Sequence, residues 1–224
     1  MSRRARWGRT EERLLELLAR DPSPLEAVEQ ELDRLEADAI ARQECDLAYL
    51  RGELAQAYAN AGRYEDAIRN MERALAAGWQ SQPDGRADIA EYLLRLGRRQ
   101  EAGDLFAALK QQYPDDVWLF NHAALAYQDV RDYESALRWL DEGLELAMAT
   151  GDPEHLVEQF LDIRRECLEA LGRPEDALME RGRELLTRAP ESSQARPPVP
   201  LRPPSPETSP PTRTASGKMV VAVA

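Results

Sequence analysis

Side chains that usually carry chemistry are scarce in this chain. Its 224 residues include two histidines, two cysteines and three phenylalanines, and among 29 basic residues only Lys110 and Lys218 are lysines. No glycine-rich phosphate loop, no paired-histidine metal helix and no nucleophile elbow occurs, which argues against nucleotide-hydrolysing, zinc-protease and serine-hydrolase chemistry. His155 and Glu158 are three residues apart and could share a helix face, but two ligands without a third make a poor metal site. Neither a metal, a cofactor nor an enzymatic activity is therefore expected. Cys45 and Cys167 lie 122 residues apart and suggest thiols rather than a disulfide framework. Without a secretory leader or a spanning apolar run, the expected location is the cytoplasm. Alternating β-branched runs are missing before the last six residues, so an all-α protein is expected.

What the chain has instead is one pattern written four times. Without gaps, GRYEDAIRNMERAL (62–75), GRRQEAGDLFAALK (97–110), RDYESALRWLDEGL (131–144) and GRPEDALMERGREL (172–185) align, with an alanine at Ala67, Ala102, Ala136 and Ala177. Their starts are 35, 34 and 41 residues apart. Upstream of the first three turns a small residue recurs at Ala55, Ala90 and Ala124, followed three positions later by Tyr58, Leu93 and Tyr127. Each unit reads as helix, short turn, helix. Alanine at such columns lets two helices approach closely while the larger residues fill the adjoining groove. In the second helices, Ala67, Ile68, Met71, Ala74 and Leu75 recur at the spacing of one helical face. Such units are too small to bury their apolar faces alone and must stack.

These residues resemble the tetratricopeptide repeat, a 34-residue helix-turn-helix unit. The resemblance rests on Leu54, Ala55, Tyr58, Gly62, Tyr64 and Ala67, with Pro114 at the end of the second unit, and covers about residues 46–187. It implies a right-handed α-α superhelix, a solenoid of about four hairpins (46–80, 81–114, 115–150 and 151–187). The fourth copy departs: Arg164 and Arg165 stand where the others carry Leu54-Ala55, Ile89-Ala90 and Ala123-Ala124, after a seven-residue excess containing Gly151-Asp152-Pro153. A divergent terminal cap with a polar outer face explains this.

Residues 1–9, with four arginines, read as a loose basic arm. Residues 10–45 read as a helical hairpin, either an N-terminal cap or a cryptic extra repeat. Ser23 is placed to cap, Pro24 to open and Glu26 to close a capping box for a helix over 25–43, with Leu25, Val28, Leu32, Leu35 and Ile40 on one side. From 188 to 224 the chain is expected to be a Pro-rich disordered tail, with eight prolines between Pro197 and Pro211. Pro197, Pro200 and Arg202 have the PxxPxR spacing of Src-homology-3 ligands, though proline pairs arise inevitably in such a tail.

The net charge of −12 hides a segregation: residues 1–9 carry +4 and 191–224 carry +2, leaving −18 on the repeat body. So acidic a body repels nucleic-acid phosphates and anionic membranes and attracts a cationic partner. Tetratricopeptide arrays act as scaffolds that hold a peptide or helix of a partner in a concave groove lined by the first helix of each unit. The resemblance places Gly52, Glu53, Gln56 and Asn60, then Asp88, Glu91 and Arg95, then Asn121, His122, Leu125 and Gln128 in that groove. Glu53, Asp88 and Glu91 favour a basic ligand, and amides such as Asn60 and Asn121 suit a peptide backbone. A carboxylate-holding groove is not expected, because the only lysine of the repeat region, Lys110, ends a second helix. The alternative role is a self-assembling structural protein, a homo-oligomer joined through end faces or through Trp118 and Trp139. Those tryptophans serve equally as core fillers.

Overall fold

The computed structural model describes residues 3–20 and 22–188. The expected tail and its proline spacing lie outside the described residues. Among the latter, all regular structure is helical: α1 (Arg3–Leu18), α2 (Leu25–Ala37), α3 (Ala41–Glu44), α4 (Leu47–Asn60), α5 (Tyr64–Ala76), α6 (Arg86–Arg95), α7 (Arg99–Gln112), α8 (Val117–Asp129), α9 (Tyr133–Thr150), α10 (Val157–Ala170) and α11 (Ala177–Arg188).

One turn closes the first helix of every hairpin. After α4, α6, α8 and α10 the backbone N–H of Arg63, Arg98, Asp132 and Arg173 donates to the carbonyl of Tyr58, Leu93, Tyr127 and Leu168 at 2.8–2.9 Å. The residue before each has positive φ: 74° at Gly62, 77° at Gly97, 58° at Arg131 and 66° at Gly172. A left-handed residue followed by this six-to-one bond satisfies the last carbonyls of a helix and sends the chain back along it. The third copy does so with an arginine where the others use glycine. The reversals pair α4 with α5, α6 with α7, α8 with α9 and α10 with α11, and each hairpin packs on the next. The first helices α6, α8 and α10 also lie against one another in order.

The interior follows the repeated columns. Ala55, Ala90 and Ala124 are fully buried; Tyr58, Leu93 and Tyr127 are buried with them, as are Ala67, Ala102 and Ala136. Phe106 ties the second and third units together, its ring 5.9 Å from Tyr127 and 5.7 Å from Trp139. Burying such a ring contributes about 2–3 kcal/mol.

Several expectations are corrected. Residues 3–9 are not a loose arm, because their backbone continues α1 as one helix to Leu18. Ser23 does not cap α2; its hydroxyl donates instead to the Leu17 carbonyl at 3.2 Å, and no side chain caps that helix. The helix expected over 25–43 stops at Ala37, where Asp38 accepts from the Ile40 and Ala41 amides and starts the short α3. Leu25, Val28, Leu32 and Leu35 are buried as expected, but beyond this break Ile40 is exposed.

The fourth unit differs most. Ala177 is exposed, and α11 buries Met179 and Gly182 instead. The cause is Arg164, which occupies the column of Leu54, Ile89 and Ala123, is buried, and reaches Asp141 on α9 at 2.8 Å and Asp176 at 2.7 Å. Asp176 also accepts from the Leu178 and Met179 amides, so α11 starts about one turn later than its counterparts. Arg165 is half-exposed and pairs with Asp162 and Glu175. The charged pair is thus partly an internal anchor and not simply a polar outer face.

Candidate functional site

The expected groove residues come from three first helices, α4, α6 and α8. On α4, Glu53, Gln56 and Asn60 line a cavity of about 310 Å³ with Tyr49, with Leu15 and Leu18 of α1 and with Ala19 just beyond it. The charge of Glu53 pushes the Tyr49 phenol up from its ordinary pKa. Gln56 Nε2 donates to Asn60 Oδ1 at 3.3 Å, and the Tyr92 hydroxyl of α6 donates to Gln56 Oε1 at 3.4 Å, joining the first two units across the face.

Farther along, Asp88, Glu91 and His122 meet between α6 and α8. One ligand atom of each lies within 4.8 Å of the others. His122 Nε2 is 3.2 Å from Glu91 Oε2 and 4.0 Å from Asp88 Oδ1, yet no aligned hydrogen bond satisfies it. Burial raises the Asp88 carboxyl to about 6, against the opposing charge of His122. Burial works the other way on His122, but Glu91 and Asp88 outweigh it and lift the imidazole above its ordinary value. At the outer end Arg95 pairs with Asp129, and Gln128 Nε2 donates to Glu166 Oε2 of α10 at 2.7 Å. Leu125 is half-buried against the core.

Two expected members are not on an open surface. Asn121 is 6% exposed, and its Oδ1 has no hydrogen-bond partner among the described residues. A Cβ on Gly52 would meet the Trp79 indole at 3.3 Å, so that ring covers this stretch of α4. Asp129 and Glu166 join the face without having been expected. Asp129 was accessible to reasoning, since it lies seven residues after His122 and so on the same helical face. Glu166 was hidden by the divergent fourth unit.

Raising a carboxyl toward 6 means that the folded state penalises the ionised form of Asp88. The penalty is present above about pH 6 and is relieved as pH falls through 6 toward the unfolded value near 4. Asp88→Asn is expected to stabilise the chain by about 1–2 kcal/mol at about pH 7, with the gain shrinking by about pH 5. Urea unfolding at the two pH values checks both the sign and its disappearance. The chain matches no family model and no curated protein.

Proposed function

We propose that this chain is a non-catalytic scaffold of the tetratricopeptide type. In this reading its hairpins wind into a right-handed solenoid, and the trough of α4, α6 and α8 holds a basic peptide or helix of a partner protein. The carrying observation is the charge of that face. Glu53, Asp88, Glu91, Asp129 and Glu166 stand against one guanidinium, Arg95, and one imidazole, His122. Arginine or lysine side chains of a partner would find carboxylates at several successive helices, and the cavity beside α1 would take an apolar side chain. Such complementarity acts chiefly on association rate and choice of partner. A cytoplasmic setting belongs to the same reading, and two buried thiols suit it: burial pushes Cys167 up to about 11 and leaves it unreactive.

Self-assembly through Trp118 and Trp139 has less support. Trp139 packs 5.5 Å from Phe120 and 5.7 Å from Phe106, while Trp118 Nε1 donates to Glu154 at 3.2 Å. No helix among the described residues is long and apolar enough to cross a membrane.

The test is affinity capture from a lysate by the chain and by its Glu53→Gln/Asp88→Asn/Glu91→Gln variant. These replacements keep side-chain size. One dominant partner, captured by the parent and lost at least tenfold by the variant, is expected. Equal capture by both would move the interaction away from the trough.

A further inference from the structure

Half-buried carboxylates in this chain usually find an arginine. Asp33 and Glu36 receive Arg51 at 2.5 and 2.6 Å, and Asp141 and Asp176 receive Arg164 at 2.8 and 2.7 Å. Asp88 and Glu91 are each about three-quarters buried and lack such a partner: the nearest guanidinium, Arg95, stays 3.9 Å from Glu91 and is committed to Asp129. What faces them is His122 Nε2, an atom shielded from solvent and without an aligned hydrogen bond. Behind the imidazole stands an apolar wall, the fully buried Phe106 ring, with centroids 6.4 Å apart.

The three donor atoms also lie within reach of a single cation. A tetrahedral zinc ion with bonds of about 2.0–2.1 Å holds its ligand atoms about 3.3 Å apart. The separation of 3.2 Å between His122 Nε2 and Glu91 Oε2 already matches that edge. The 4.0 Å separation to Asp88 Oδ1 closes by about 0.7 Å, and the Asp88–Glu91 edge, which lies within 4.8 Å, by no more than about 1.5 Å. Asp88 and Glu91, three apart on α6, share a face, and packing of α8 along α6 brings the third donor. Two carboxylates balance a divalent charge, and an imidazole nitrogen among the donors favours a transition metal over magnesium or calcium.

We infer that Asp88, Glu91 and His122 form a binding site for a divalent transition-metal cation, zinc by preference, with a fourth position open to the trough. Water or a donor group from a bound partner fills that position. The inference does not depend on the scaffold reading: with zinc bound, Asp88 and Glu91 are neutralised, and Glu53, Asp129 and Glu166 remain to attract a basic partner.

Calorimetric titration of the chelator-stripped, tag-free full chain with zinc chloride at neutral pH tests it, together with ring ¹H–¹⁵N spectra. With two histidines in the chain, each ring is separately visible. Expected are one zinc per chain with micromolar or tighter affinity, a shift of the His122 ring with His155 unmoved, and a loss of about tenfold or more in both Asp88→Asn and His122→Gln. Asp88→Asn leaves the wall of Phe106 untouched, so it reads the site even where His122→Gln perturbs folding. No saturable binding at micromolar zinc, affinity unchanged in the folded Asp88→Asn variant, or a shift confined to His155 would overturn the inference.

Discussion

Arg51→Ala is expected to destabilise the chain by about 3 kcal/mol, among the largest effects of any single substitution outside the apolar core. The Arg51 side chain is fully buried on α4, yet its guanidinium reaches three side chains on two other helices. Nε donates to Glu36 at 2.6 Å and Nη2 to Asp33 at 2.5 Å on α2, while Nη1 donates to Asn70 at 2.9 Å on α5. Truncation removes the bonds, opens a cavity and strands the Asn70 oxygen. Asp33 and Glu36 keep Arg73 and some solvent, which is why the loss stays below the extreme for a broken buried pair. Arg51→Met retains most of the volume, so its own cost against the parent reads the polar contribution, and the difference between the two variants reads the cavity.

The same network sets an acid limit. Although burial opposes it, hydrogen bonds from Arg51 and Arg73 hold Asp33 and Glu36 below the usual carboxylate range. Against a similar opposition, Tyr58, Arg69 and Asn70 do the same for Glu29. A depressed folded-state pKa gives stability that is complete above the unfolded value near 4 and is lost as pH falls through the folded value. Urea midpoints should therefore fall steeply below about pH 4 in the parent and less steeply in Arg51→Ala.

Gly143→Leu is expected to cost about 3 kcal/mol or more, although glycine is a poor residue for the interior of α9. A Cβ there would lie 2.8 Å from Phe120 Cβ and 2.8 Å from Phe160 Cζ, both on buried side chains of the flanking helices. Phe120 meets it at its own Cβ, which cannot swing aside, so backbone must move. Gly103 on α7 is the control. Its Cβ would meet only the Tyr127 hydroxyl at 3.5 Å, and Gly103→Ala should stabilise by about 0.5–1 kcal/mol through helix propensity. Opposite signs at two helical glycines would locate the close approach of α8, α9 and α10.

Much of this architecture was readable in the repeated columns, because alanine and aromatic positions that recur at fixed spacing report the packed side of each helix directly. Helix ends were harder. Ser23 and Asp38 are both plausible caps by composition, and only the path of the chain decides that one bonds back to Leu17 while the other opens α3. Arg51 and Arg164 gave no periodic signal, since a buried arginine is defined by carboxylates on other helices. The gapless fourth alignment failed for that reason: Asp176 is drawn to Arg164, and the register of α11 slips past Ala177. On α4, α6 and α8 the expected polar positions were legible only in part, since Gly52 is covered by Trp79 and Asn121 is buried, and nothing in the sequence told that Asp88, Glu91 and His122 converge. Convergence depends on the axial offset between α6 and α8, which no single unit encodes.

The most direct test of the trough as the working surface is backbone chemical-shift mapping, with the basic segment of the captured partner titrated into labelled chain. The account predicts perturbations concentrated on α4, α6 and α8, centred on Glu53, Gln56, Asp88, Glu91, Leu125 and Asp129, and weakened by added salt. Perturbations confined to α5, α7 and α9, or to residues after 188, would contradict it.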